Sequence, residues 1–343
     1  MKVEDIGERG LIHRLRRRVG PPAPGVSVGI GDDSAVLTMT PGGSLLVTTD
    51  LVIESIHFRR QYATPADIGW KAMAVNLSDI AAMGGTPRFA VVALACAAET
   101  PVEEIDALYE GLYAAAAPHG VSIIGGDTSA SPDGWIVNVT VLGEINRIPR
   151  LRSAALPGDL IAVTGTLGAS AAGLACFESP LPPPALARED LDTVRQAHLR
   201  PTPRVAEGRW LGAADGVHAM IDCSDGLAAD LGHVAAESGV GARVWLDRLP
   251  VSPAVHRVAA ALGRNPITLA ATGGEDYELL VTLQPARFET LAAELKAATG
   301  TFLTAIGEIL VSSSWGLQFL DSQQRPVPIG RGFDHFRKRS ADG

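Results

Sequence analysis

The chain has only three cysteines among its 343 residues, and Cys96, Cys176 and Cys223 stand far apart. Their odd number argues against a disulfide scaffold, and no CxxC pair or Cys/His group has structural zinc spacing. They read as reduced, mostly buried thiols. Long apolar runs are missing as well: residues 89–98 reach about half the length of a membrane span. The amino terminus, Met1-Lys2-Val3-Glu4-Asp5, lacks a signal-peptide pattern. Positive charge is in deficit, with 29 Lys and Arg against 38 Asp and Glu and a formal net charge of -9. That balance disfavours nucleic acid as the main partner. Neither a GxxxxGK[ST] phosphate loop nor a correctly spaced dinucleotide fingerprint occurs. The simplest reading of these absences is a cytoplasmic enzyme with no membrane and no nucleic acid partner.

Enough is present for a real core: 46% of the residues are hydrophobic. The length allows one large or two medium domains. In the first half, strands are expected at 26–30, 44–48, 88–95, 121–124 and 135–143. Residues 11–19 form a short basic amphipathic segment, and helices are expected at 66–83 and 101–117, where apolar residues recur at helical spacing. Residues 149–158, rich in Arg, Pro and Gly, make the best domain boundary. A second alternating set follows, with strands at 160–163, 218–221, 279–283 and 302–309 and helices at 168–177 and 227–236. The expectation is an α/β (α+β) chain with domains at 1–148 and 149–336 and a frayed tail at 337–343. Glycine-acid turns in both halves hint at duplicated architecture, without a strict internal repeat.

The most informative positive feature is a set of aspartates placed where apolar strands run out. They stand in Gly31-Asp32-Asp33, Thr48-Thr49-Asp50, Asn76-Leu77-Ser78-Asp79, Gly125-Gly126-Asp127-Thr128 and Asp222-Cys223-Ser224-Asp225-Gly226. Converging carboxylates repel one another unless cations hold them together. Neighbouring hydroxyls and glycines suit hydrated Mg2+ and phosphate better than a transition metal. The pattern therefore points to Mg2+-dependent phosphoryl transfer. Plainer readings exist: an Asx turn at Asp32 and Asp33, an exposed helix aspartate at Asp79, a helix cap at Ser224 or Asp225. The cap reading leaves Asp222 unused. The Gly125-Gly126-Asp127 segment is read as a turn whose glycines let phosphate approach the backbone. Gly273-Gly274-Glu275-Asp276-Tyr277-Glu278 carries three acids, more than an ordinary turn needs, and suits a cationic or hydrogen-bonding substrate. His57 is a substrate contact or a structural histidine. Arg152 is the best-placed candidate to meet a nucleotide phosphate, ahead of Lys71, Arg88 and Arg204.

Taken in order, these motifs resemble the thiamine-monophosphate kinase family, within the wider group sharing the fold of aminoimidazole ribonucleotide synthetase. The resemblance spans nearly the whole chain. It includes Gly29-Ile30-Gly31-Asp32-Asp33, Thr48-Thr49-Asp50, residues 74–84, Ile124-Gly125-Gly126-Asp127-Thr128, Val163-Thr164-Gly165, residues 221–227, residues 273–279 and the closing Phe333-Asp334-His335-Phe336. It implies a two-domain fold, a homodimer built on the first domain's sheet, and ATP-dependent conversion of thiamine monophosphate to thiamine diphosphate by direct transfer. Mg2+ ligands would be Asp33, Thr48, Thr49, Asp50, Asp79, Asp127, Asp222 and Asp225, with Asp50, Asp127 and Asp222 central to catalysis. Nucleotide contacts would be Gly126, Asp127, Arg152 and Ser224. Substrate contacts would be His57 and Glu275. Gly330 stands where the family often has an aromatic contact, which leaves Phe333 or Trp315 to supply the ring. The rivals are another ATP-dependent synthetase of the same fold and a non-catalytic thiamine-phosphate or nucleotide binder. A selenophosphate synthetase would need a reactive cysteine near its start, and the first cysteine here is Cys96. The hydrogenase-maturation relative would need a terminal cysteine, where this chain has Gly343.

Overall fold

Thr64 caps a helix at Pro65–Ala82: its side chain accepts from Asp67 N–H, and Asp67 in return accepts from Thr64 N–H. The computed structural model describes residues 1–17, 24–28, 36–179, 186–311, 316–330 and 332–333. Along the chain the elements are α1 (Val3–Arg16), β1 (Val26–Val28), β2 (Val36–Leu37), β3 (Ser44–Ile53), α2 (Pro65–Ala82), β4 (Thr86–Cys96), α3 (Val102–Ala116), β5 (Ser122–Ala130) and β6 (Ile136–Ile145). Then come β7 (Leu160–Thr164), α4 (Ala169–Glu178), α5 (Arg188–Leu199), α6 (Val205–Ala213), β8 (Val217–Asp222), α7 (Leu227–Ser238) and β9 (Gly241–Trp245). The chain continues through α8 (Pro253–Ala261), α9 (Pro266–Thr272), β10 (Leu279–Leu283), α10 (Phe288–Thr299), β11 (Leu303–Leu310) and β12 (Leu317–Leu320).

Two units result. The first comprises Met1–Pro149 and Leu199–Ala213, the second the described residues of 150–198 and 214–333. A single cut after residue 148 therefore leaves out a return of the chain. Residues 199–213 pack with the first unit, where Gly208 of α6 lies so close to Ala81 of α2 that a Cβ would stand 2.2 Å from its carbonyl oxygen.

In the first unit, four strands run in the order β3-β6-β4-β5, antiparallel except for the β4–β5 pair. Helix α2 covers one face of this sheet and α3 packs on α2. Met73, Leu77 and Ile80 of α2, Leu108 and Leu112 of α3, and Val92, Val137, Val139 and Val141 of the sheet are all buried. The other face is open: Leu45, Val47 and Leu51 of β3 are 49%, 60% and 50% exposed. Two expectations need correction here. Strand β3 does not stop at Asp50 but continues to Ile53, so alternation decides where each side chain points. The Gly125-Gly126-Asp127 segment is the middle of β5 rather than a turn. Gly126 is required there because a Cβ would stand 2.0 Å from Val92 O on the paired strand.

The second unit has a six-stranded sheet in the order β12-β9-β11-β7-β10-β8, antiparallel except for β12–β9. Val163, Ile221, Leu280 and Ile306 of the sheet pack with Leu227, Leu231 and Val234 of α7 in its main core. Among the described residues, no helix is long and apolar enough to cross a membrane.

Candidate active site

In the first unit, alternation along β3 turns Thr48, Asp50 and Val52 toward the helical face. Thr48 Oγ1 donates to Asp79 Oδ2 on α2, and Asp79 also hydrogen-bonds Asp50. Asp79 is thus engaged with β3 rather than turned out as an idle helix aspartate. Burial, and then the neighbouring Asp79 charge, push the Asp50 carboxyl up to about 7. The register Asp50–Val139–Val92–Gly126 puts the Gly126 backbone in the same row across the sheet. Two polar oxygens on these elements, Asn76 Oδ1 of α2 and Thr128 Oγ1 of β5, are buried without a hydrogen-bond partner.

The opposite sheet face holds a second polar set. Thr49 Oγ1 lies 2.9 Å from Thr140 Oγ1 and accepts from Asn138 Nδ2 at 3.0 Å. Asp127 shares a row with Leu51, Asn138 and Ala93 and is exposed. The side chains of Thr49 and Asp127 are therefore separated by the sheet from the Asp50–Asp79 pair. His57 sits in the tight loop after β3, where Ser55 has φ of 70°. Its Nδ1 accepts from Ile53 N–H at 3.0 Å, which places a ring proton on Nε2 when the imidazole is neutral. Asp33 lies outside the described residues.

In the second unit, three loops are sewn together by backbone hydrogen bonds. Cys223 N–H donates to Glu278 O, Glu275 N–H to Ser224 O, and Phe333 N–H to Asp225 O. Ser224, Asp225, Glu275 and Phe333 are thereby brought together beside Asp222, which is buried at the end of β8. Phe333 is 40% exposed, and a Cβ on the preceding Gly332 would stand 2.3 Å from Asp225 O. Trp315 lies outside the described residues, as do Asp334, His335 and Phe336. Arg152 is exposed in a short turn at Arg152–Ala154, whose carbonyl accepts from Ser238 Oγ.

Three residues of this region carry weight that sequence reasoning did not assign. Asp230, one turn into α7, accepts from Gly226 N–H at 3.0 Å. Burial, followed by the charges of Asp222 and Asp225, holds its carboxyl well above the usual range. Asp276 accepts from Gly168 N–H at 2.6 Å and Ser170 N–H at 3.2 Å at the start of α4, yet burial still pushes it up to about 7. His198 contacts Glu275 and Ser170. The only signal for Asp230 was its place four residues after Gly226. Asp276 lay inside a motif already noticed, and His198 gave no local signal.

Among the described residues, no group of three or more His, Cys, Asp or Glu side chains gathers as a metal cage. Mg2+ does not require one. It is commonly held by one or two carboxylates, with water and substrate phosphates completing the octahedron. Thr48, Asp50 and Asp79 offer two carboxyls and a hydroxyl, hard oxygen donors free of thiolate and imidazole, and this chemistry fits Mg2+.

Residues 31–145 match the family described as AIR synthase related protein, N-terminal domain, and residues 157–318 its C-terminal domain. A thiamine-monophosphate kinase of Bacillus subtilis (strain 168) is 38% identical over 97% of this chain and 100% of its own length. The crystal structure of thiamine-monophosphate kinase from Stenotrophomonas maltophilia K279a aligns with a TM-score of 0.78 at 38% identity, covering 90% of this chain and 94% of that one. The structure of AaThiL complexed with AMPPCP and TMP aligns with a TM-score of 0.76 at 30% identity, covering 98% and 99%. Hydrogenase maturation protein HypE, at 21% identity and a TM-score of 0.74, shares the fold. Such similarity over nearly the full length of both chains, joined to the acidic motifs above, is that of members of one family: the chain belongs to the thiamine-monophosphate kinases.

Proposed function

We infer that this chain transfers the terminal phosphoryl group of ATP to the phosphate of thiamine monophosphate, giving thiamine diphosphate and ADP. The near-complete alignment with curated thiamine-monophosphate kinases carries the reading. The ATP analogue and TMP named together in the aligned AaThiL structure support both substrates.

The attacking oxygen belongs to a phosphate that is already ionised, so the reaction needs no general base, and His57 is not given that role. The difficulty is the approach of two anions and their alignment. The chemistry supplied by Mg2+ when bound is neutralisation of phosphate charge, before and during transfer. Thr48, Asp50 and Asp79 would hold it on one face of the first sheet, Thr49 and Asp127 on the other, and Asp222 and Asp225 in the second unit. Asp33 joins this set by sequence alone. The catalytic weight falls on Asp50, Asp127 and Asp222. Gly126, Asp127, Arg152 and Ser224 meet the nucleotide. The Gly126 backbone, bare of a side chain, lets phosphate oxygens come close. His57, Glu275 and Phe333 meet the thiamine half of the substrate. Glu275 suits its positive charge and exocyclic amine, and Phe333 suits its flat rings.

A homodimer accompanies this reading, supported by the open apolar face of Leu45, Val47 and Leu51. A cytoplasmic location is supported by ATP as co-substrate and by three buried free thiols. The deciding experiment is ADP release measured with and without thiamine monophosphate, with the thiamine product identified. ADP release that requires thiamine monophosphate and yields thiamine diphosphate is expected. Tight binding of both ligands without turnover would establish the non-catalytic reading instead.

A further inference from the structure

His198 and Ser170 are 2% and 1% exposed and belong to no motif that the phosphoryl chemistry uses. His198 is the penultimate residue of α5, and Ser170 stands in the first turn of α4. His198 Nδ1 lies 3.2 Å from Glu275 Oε2 and 3.1 Å from Ser170 Oγ. The same Ser170 donates its backbone N–H to Asp276 Oδ1 at 3.2 Å. Two successive acids of the Gly273–Glu278 loop are therefore each gripped from outside it, Asp276 by the α4 amides and Glu275 by His198. The loop needs such restraint. Glu275 and Tyr277 have φ of 66° and 51°, a region that side-chain-bearing residues enter only under strain. Glu275 also donates its backbone N–H to Ser224 O. Its main chain is fixed, and the remaining freedom is that of its side-chain torsions.

We propose that His198 is the positioning residue for Glu275: its Nδ1–H, seated against Ser170 Oγ, aims the Glu275 carboxylate at the thiamine end of the substrate. The proposal rests on Glu275 being a substrate contact. It places the determinant of thiamine recognition partly on α5. The imidazole ring is kept in place by Phe177, whose ring centroid lies 6.0 Å away. A hydrogen bond from a buried donor to a carboxylate is among the stronger ones in proteins. Losing it frees the carboxylate without removing it, so the effect falls on affinity for one substrate and not on the transfer step.

The test uses the full-length chain and steady-state kinetics for both substrates. His198→Asn keeps an N–H at the Nδ1 position, while His198→Gln moves it outward to the Nε2 position. His198→Gln is expected to raise KM for thiamine monophosphate roughly tenfold, with kcat and KM for ATP within about twofold. His198→Asn is expected to recover most of that loss. Glu275→Ala is expected to raise the same KM at least as far, and His198→Gln added to Glu275→Ala is expected to do nothing more. Equal kinetics of the Asn and Gln variants, an effect shared by KM for ATP, or full additivity with Glu275→Ala would overturn the proposal. Should wild-type protein produce no thiamine diphosphate, the functional reading itself fails. Should Glu275→Ala leave KM unchanged, the substrate role of Glu275 fails. Thermal melts of each variant identify a loss that is merely structural.

Discussion

Asp50 of β3 and Asp79 of α2 form a hydrogen-bonded carboxyl pair, and Thr48 donates to the same Asp79. Burial first and the Asp79 charge second lift Asp50 from an ordinary 3.8 to about 7. The folded chain therefore holds a proton that the unfolded chain has already released over this interval. The contribution of this carboxyl to the stability of the metal-free protein falls as pH rises from about 4 to about 7 and levels off above. A falling melting temperature between pH 5 and 8 in chelator is expected, with a flatter profile for Asp50→Asn. An identical slope in both proteins would count against the pair.

In the proposed reading, Mg2+ held by Asp50 and Asp79 would compete with that proton for the same oxygens. Addition of Mg2+ to chelator-treated protein is expected to raise the melting temperature more at pH 8 than at pH 5.5, and to release protons near neutrality. Calorimetry in two buffers of different ionisation enthalpy measures that release directly. No difference between the buffers would mean that Mg2+ does not reach Asp50.

Asp50→Asn and Asp222→Asn are expected to lower kcat by on the order of 100-fold or more at saturating Mg2+. The melts should not fall, because both side chains sit among other acids and neither anchors a core. Asp222 is buried at the end of β8, and its charge helps to raise Asp230. Its neutral replacement relieves repulsion even as it removes the proposed Mg2+ ligand. Near-normal turnover in both variants would contradict their assignment.

Much of this arrangement was legible in the sequence because periodicity reports burial. The helical spacing across 66–83 and its Pro65 start correspond closely to α2, and the apolar run 279–283 is β10 residue for residue. Polar segments were less legible. Thr48, Thr49, Asp50, Gly126 and Asp127 look like strand ends because they are hydrophilic, yet they are paired in full ladders with β6 and β4. A strand that lines a charged site loses the apolar alternation by which strands are recognised. Which face each side chain takes, and so the division of Asp50 from Asp127, follows from register alone. Helices α5, α6, α8, α9 and α10 were not expected from the sequence, and α6 shows one reason. The buried residues of α6 are mostly small or charged, Glu207, Gly208 and Gly212 among them, and give no strong apolar stripe.

Gly126 offers a test of close strand approach independent of chemistry. An alanine Cβ there would stand 2.0 Å from Val92 O and within 3.2 Å of Val92 N, and neither backbone atom can swing aside. The β4–β5 pair must part or shift. Gly126→Ala is expected to cost about 3 kcal/mol in denaturant unfolding and to lose activity as well. A stable variant with lost activity would show that the glycine serves ligand approach alone, with room in the sheet to spare.

Val47 tests the open face of the first sheet. It projects from edge strand β3 at 60% exposure, opposite Leu142 and between Leu45 and Leu51 on the same side. Apolar side chains exposed in this way on an open sheet face are stable in water when a second surface covers them. Wild-type protein is expected to run as a dimer in light scattering at micromolar concentration. Val47→Glu, which sets a charge among these side chains, is expected to run as a monomer with unchanged circular dichroism. The unit's helical face does not depend on Val47, so loss of fold is not anticipated. A wild-type monomer, or a Val47→Glu dimer of undiminished stability to dilution, would show that the twin subunit pairs elsewhere or not at all.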